Sequence, residues 1–319
     1  MAVYTTIDED QLDTLLAGFD IGRIIALKGI AEGVENSNYF LLTDRGRYIL
    51  TIYERRVDPD DLPFFLQLMD HLAGNGVCCP VPVKDRDGNA LQSIAGKPAA
   101  IISFLDGRSP RALTPARCRA LGMALADFHA SGRGFGLERR NALSVDSWRG
   151  LFSQSQASPK GVEPGLADEI AAELDHLERA WPRHLESGVI HADLFPDNVF
   201  FDRDRVTGII DFYFACNDLL AYDVAICINA WCFEASGEFN ITKSRALLDG
   251  YRSLRPMPPE EIEAIPVLAR GGALRFALTR LYDWLNQVEG ALVRPKDPNE
   301  YLRRLRFHRM HDSAGSYGV

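Results

Sequence analysis

Between Gly22 and Glu54 the chain reads GRIIALKGIAEGVENSNYFLLTDRGRYILTIYE, short apolar or alternating runs on either side of a Gly/Asn-rich turn. Two of these runs, Asn38–Thr43 and Tyr48–Tyr53, are separated by the turn-forming TDRG, which predicts strands paired through a hairpin. DPDDLPFFLQLMDHLAGNG then changes period. Leu62, Phe65, Leu66, Met69 and Leu72 fall on one helical face, with Asp60 or Asp61 near the start and Gly74 and Gly76 past the end. The PVPV stretch and PAAIISFL, up to Asp106-Gly107, return to a strand-like pattern.

From Thr114 the helical period dominates. TPARCRALGMALADFHASG has Thr114 as N-cap, Pro115 in the first helical position and Gly132 beyond the last turn. A second helix is predicted over Ala167–Leu185, a compact β-segment over Val189–Asp211, and long helices from there to about Arg309. The pattern is α+β: an antiparallel sheet with one helix over residues 1–104, then a mainly helical part over 105–319 carrying one β-hairpin. The junction at Leu105–Ser109 is a short connector. SQASPKGVEPG is the one loose stretch.

Composition narrows the function classes. The 319 residues hold 35 Lys+Arg against 44 Asp+Glu, a formal charge of −9. An acidic balance argues against a dedicated nucleic-acid binder, although it does not exclude a nucleotide held by local geometry. Arg303, Arg304, Arg306 and Arg309 read as a solvated helix face. No run of ~18 apolar residues occurs, so no membrane partner is expected. The acidic N-terminus lacks the pattern of a secretory signal. Six cysteines without a CxxC pair read as free thiols in a reducing compartment, which places the chain in the cytoplasm.

The chemistry concentrates in GVIHADLFPDNVFFDRDRVTGIIDFYFA, residues 188–215. A strand ends at Ile190 and a loop follows with His191, Asp193 and Asn198. A hairpin then leads to Asp211. Hairpin closure predicts that Asn198 and Asp211 lie side by side with Asp193 beside them. Two carboxylates and an amide oxygen suit Mg²⁺ shared with phosphates, and a further carboxylate could orient or deprotonate an attacking hydroxyl.

HADLFPDN followed by IIDFYFA resembles the aminoglycoside phosphotransferase and choline kinase superfamily, which has the two-lobed protein-kinase-like fold. That resemblance implies Asp193 as catalytic base, Asn198 and Asp211 on the magnesium ion of ATP, and His191 as a brace of the loop. Asp218 and Asp223, in DLLAYDVA, would buttress the site. GIAEGVENSNYF lies where the superfamily covers the phosphates, with Gly29 and Gly33 allowing close backbone approach and Asn36 or Ser37 as donors. PAAIISFLDG resembles the strand whose backbone receives adenine, around Ser103–Leu105. ATP would bind in the cleft between the lobes.

One departure stands out. The superfamily usually carries Lys or Arg where this chain has Thr51, and Gln67 stands near the expected partner Glu. Lys28, Arg55 or Arg56 could supply the missing charge. The whole chain, including GVENSNYFLLT, CINAWCFE and TRLYDWLNQVEGALVRPKDPNEYLRRL, is similar to the homoserine kinases of this superfamily, which implies homoserine as acceptor and a step of threonine biosynthesis. Arg280 and Asp283 could hold the carboxylate and ammonium of such an acceptor, or pair with each other along the helix. Trp231 could wall the pocket. The rivals are a kinase for another small alcohol (aminoglycoside, choline, ethanolamine or a sugar) and a non-catalytic nucleotide-binding scaffold.

Overall fold

The computed structural model describes residues 5–30, 36–54, 57–158, 160–287 and 295–319. Helix α1 (Glu9–Leu16) opens on a capping box in which Asp8 and Gln11 satisfy each other's backbone N–H. The sheet follows as β1 (Ile24–Gly29), β2 (Ser37–Thr43) and β3 (Gly46–Ile52), then α2 (Leu62–Gly74), β4 (Leu91–Ile94) and β5 (Lys97–Ser103). Its order is β1-β2-β3-β5-β4, antiparallel throughout. Strand β2 alternates buried and half-buried positions. Tyr39 and Leu41 thus share one face with Leu50, Ile52, Ala99 and Ile101 and pack with Leu12, Leu15 and Leu16 of α1.

Two expectations need correction here. This region has two helices, because eight-residue α1 is too short for its apolar period to stand out in an acidic segment. PVPV is not a strand. Pro80 and Pro82 have no N–H to give a ladder, and only an isolated bridge, Pro82 to Ile102, remains.

The chain continues through α3 (Pro115–Ser131), α4 (Val145–Gln156), α5 (Pro164–Ala180), β6 (Ser187–Ile190), β7 (Val199–Asp202), β8 (Arg205–Ile209), β9 (Cys216–Leu219), α6 (Leu220–Trp231), α7 (Ile241–Arg252), α8 (Pro259–Leu285) and α9 (Pro298–Met310). Thr114 caps α3 as expected. Helix α5 stops at Ala180 instead of Leu185, because Pro182 forces Trp181 into extended backbone at ψ 124°. Strands β7 and β8 form a two-stranded sheet, as do β6 and β9.

The chain divides into two units. The first comprises Met1–Gly107, Phe135–Leu137 and Thr207–Tyr213, and the second the remainder. In the second, α3 and α7 meet backbone to backbone: a Cβ on Gly122 would lie 2.1 Å from the Leu247 carbonyl oxygen, and one on Gly250 2.1 Å from that of Arg119. Arg303, Arg306 and Arg309 are exposed, as a solvated helix face requires, while Arg304 is buried. Arg306 and Arg309 pair with Glu169, and Arg309 also with buried Glu173, tying α9 to α5. Among the described residues no helix is long and apolar enough to cross a membrane. All six cysteines are free, and all but Cys78 are buried.

Candidate active site

Strand β6 ends at Ile190 because its antiparallel partner β9 only begins there, Cys216 standing opposite Ile190. The loop that follows is clamped from below. Asp223, fully buried in the first turn of α6, accepts the backbone N–H of His191 at 2.7 Å and of Ala192 at 2.9 Å. Its Oδ2 also lies 3.2 Å from Nε2 of His129, whose Nδ1 meets the Tyr251 hydroxyl at 2.8 Å. Burial opposes ionisation of Asp223, but the His129 imidazole and the loop N–H groups more than reverse that and hold its carboxyl below the usual range.

Between the clamped residues, Ala192 adopts φ +61°, a left-handed conformation that costs a non-glycine residue about 1–2 kcal/mol. Its carbonyl receives Nη1 of buried Arg275 at 2.5 Å. That guanidinium lies 4.1 Å from the Phe276 ring centroid. Trp231 completes the support by donating Nε1–H to the Leu194 carbonyl at 2.8 Å. Arg275 and His129 carry no loop-like motif that would reveal them in the sequence. They reach the site only through helix packing.

Asp193 is half-buried. Asn198 Nδ2 donates to its carbonyl at 2.8 Å and to its carboxylate Oδ2 at 3.3 Å, and its own N–H approaches His191 Nδ1 at 3.3 Å. Burial raises the Asp193 carboxyl above the ordinary carboxylate range, against the opposing charges of Arg275, His191 and Lys296. The amide nitrogen of Asn198 is engaged by Asp193, which leaves its amide oxygen as the atom of that side chain able to act as a hard donor. Asp218, half-buried on β9, is held by the Asn141 amide at 2.7 Å and by the Leu219 N–H at 2.7 Å. Its carboxyl too is raised by burial.

Asp211 belongs to the first unit, after β8, and is exposed with φ +66°. Neighbouring Phe212 is buried, and Tyr213 packs edge-on against Tyr53 and Phe65. In the same unit buried Thr51 donates its hydroxyl to Asn38 Oδ1 at 2.8 Å, so its position is filled by a neutral pair. Lys28, on β1, is exposed and carries no ion pair among the described residues. Arg55, Arg56 and Gly33 lie outside the described residues. Among the described residues no cluster of three or more His, Cys, Asp and Glu side chains forms a metal cage.

Several expected contacts are redirected. Asn36 and Ser37 do not face outward as phosphate donors. Both are buried, Asn36 accepting the Glu54 N–H and Ser37 donating to the Glu54 carboxylate at 2.7 Å while accepting the Thr5 N–H. Gly29 is the last residue of β1. Ser103 is committed to Val81 through both its N–H and its hydroxyl, each at 2.9 Å, which leaves half-buried Leu105 from that pair. Arg280 pairs with Glu300 on α9 at 2.6 Å rather than with half-buried Asp283. Trp231 is fully buried, so it braces the loop and does not wall an open pocket.

Comparison with known proteins gives the family and the fold. The profile of the phosphotransferase enzyme family matches residues 26–257. A homoserine kinase of Rhizobium johnstonii is 60% identical over 319 residues, covering 100% of this chain and 99% of the relative. One of Sinorhizobium fredii is 59% identical and 98% covered. Among solved structures, the amicoumacin kinase hAmiN in complex with AMP-PNP, Ca²⁺ and Ami superimposes with TM-score 0.71 at 16% identity, over 95% of this chain and 92% of that one. The choline kinase of Cryptosporidium parvum superimposes with TM-score 0.69 at 15% identity, over 95% of both chains. These two establish the protein-kinase-like fold, and the full-length relatives the narrower group: the chain belongs to the homoserine kinases of the phosphotransferase enzyme family.

Proposed function

We propose that the protein transfers the γ-phosphate of ATP to the hydroxyl of L-homoserine, giving O-phosphohomoserine and ADP, with Asp193 as the base. The observation that carries the role of Asp193 is its setting. It is a half-buried carboxylate, raised toward proton affinity, on a loop fixed from both sides by Asp223 and Arg275. As the acceptor oxygen forms its bond to phosphorus, the bond from phosphorus to the ADP oxygen breaks, and the hydroxyl proton passes to an Asp193 carboxylate oxygen. A carboxyl pKa above the ordinary range favours that transfer near neutral pH. His191 and Asn198 hold Asp193 in place.

The chemistry of the two side chains suits Mg²⁺: Asn198 offers an amide oxygen and Asp211 an exposed carboxylate, both hard oxygen donors. Asn198 and Asp211 would hold the ion, which would offset charge on the phosphates. With Thr51 neutral, Lys28 is the described cation available on the sheet to share in that role. In the register Lys28 opposite Phe40, Phe40 opposite Ile49, it stands on the same sheet face as Thr51, two residues from Ile49.

The test is purified protein with ATP, Mg²⁺ and a panel of L-homoserine, choline, ethanolamine and an aminoglycoside, followed by ADP release and ³¹P NMR. Turnover with L-homoserine alone, abolished in Asp193→Asn, is the expected result. Turnover confined to another alcohol would overturn the acceptor, and unchanged turnover in Asp193→Asn would overturn the base.

A further inference from the structure

We infer that the ammonium of Lys296 holds the carboxylate of the acceptor while the acceptor's hydroxyl meets Asp193, so that Lys296 selects for an amino-acid alcohol; this rests on the homoserine reading above. Lys296 belongs to the same unit as Asp193 and stands just ahead of α9. Its backbone position is pinned by its neighbours. Asp297 caps the helix by accepting the Asn299 N–H at 2.9 Å, Pro298 opens the first turn, and Arg280 of α8 donates to the Asp297 carbonyl at 3.4 Å.

The side chain turns toward the Asp193 loop. Its ammonium lies 5.5 Å from the centroid of the Phe195 ring, which Phe276 holds edge-on at 4.9 Å. The Phe195 N–H donates to the Asp193 carbonyl at 2.8 Å, so these two residues share one tight turn. The charge of Lys296 is felt at the Asp193 carboxyl, where it works against burial, yet no ion pair joins the two among the described residues. Opposite charges so placed stand beyond the ~4 Å of an ion pair but inside the ~8–10 Å over which exposed charges act. Homoserine bridges such a gap. Its hydroxyl oxygen and carboxyl carbon are four bonds of about 1.5 Å apart, a span of about 5 Å when extended.

The other cations of this wall are committed. Arg275 gives Nη1 to the Ala192 carbonyl, and Arg280 and Arg304 both pair with Glu300. Lys296 is exposed and makes no ion pair or hydrogen bond among the described residues. A compact point charge on a flexible stem suits a small carboxylate that must enter and leave, and it repels an alcohol whose only charge is positive. The chemical class is a small zwitterionic amino-acid alcohol.

Steady-state kinetics of Lys296→Met and Lys296→Arg decide the matter, with two competitors against L-homoserine. L-2-aminobutyrate keeps the carboxylate but lacks the hydroxyl, whereas 3-aminopropan-1-ol keeps the hydroxyl but lacks the carboxylate. Loss of a charged hydrogen bond in Lys296→Met predicts that KM for L-homoserine and Ki for L-2-aminobutyrate rise together by about tenfold or more, while KM for ATP stays within about twofold. Ki for 3-aminopropan-1-ol should hold or fall, and Lys296→Arg should recover part of the loss. A lower kcat with both acceptor constants unchanged would give the ammonium to the phosphates and overturn the assignment. A Ki for 3-aminopropan-1-ol that rises with the others would mark a merely structural effect and overturn it too. Absence of homoserine turnover in the unmutated enzyme would instead overturn the acceptor itself.

Discussion

The carboxylate of Asp223 lies 2.7 Å from the backbone nitrogen of His191, so a helix residue and not the loop itself decides where the loop begins. A neutral amide at 223 could accept with its oxygen but would turn an NH₂ toward one of the donors. Asp223→Asn should therefore cost about 1–3 kcal/mol in urea unfolding, and Asp223→Ala about 3–5 kcal/mol. Both should lower kcat. Because the folded carboxyl is held below its usual range, this stabilisation is present above the unfolded pKa and is lost only as pH falls through the lower folded value. Equal stability of Asp223→Ala and the parent would contradict this account.

Asp193 should set the acid limb of activity. Its carboxyl is raised by burial and works as a base only when ionised, so kcat should fall on acidification at a pH above the ordinary carboxylate range. Arg275 opposes that rise with its charge. Arg275→Met should move the limb to still higher pH, and a pH profile of kcat in the two proteins reads the displacement. A limb that moves to lower pH would have the wrong sign.

Helix contact between α3 and α7 should tolerate no methyl group. Alanine is intrinsically the better helix former by about 0.8–1.0 kcal/mol, but a Cβ at Gly122 or Gly250 would meet a carbonyl oxygen at 2.1 Å. Sterics win, and Gly122→Ala should lose about 1–3 kcal/mol in thermal or urea unfolding. His129 rides on α3 and Tyr251 on α7, so kcat should fall as well.

Trp231→Phe keeps an aromatic ring but leaves the Leu194 carbonyl without its donor. The expected cost is about 1–3 kcal/mol of stability with reduced kcat. If Trp231 lined the acceptor site, KM for the acceptor would rise while stability held.

What could be read from the chain alone was local in sequence. His191, Asp193 and Asn198 lie within one loop and stand out by their order, whereas Asp223 entered only through the resemblance of DLLAYDVA to the superfamily. Arg275 reaches Ala192 across 83 positions and His129 reaches Asp223 across 94, distances over which no periodicity carries information. Asn36 and Ser37 misled for a related reason. A polar pair after a glycine-rich stretch reads as outward donors, and only the approach of Glu54 and Thr5 shows where their hydrogen bonds go. The early end of α5 was legible in Pro182, whose effect on Trp181 is purely local.

Ala192 stands where glycine would be easier, and the peptide groups on both sides of it are engaged: Asp223 accepts its N–H and Arg275 donates to its carbonyl. The bend is thus imposed by two helices from outside, not encoded by the loop's own residues. Anyone transplanting HADLFPDN into a new scaffold would carry over the letters without the shape, unless an acid and a guanidinium were buried on either side to receive it.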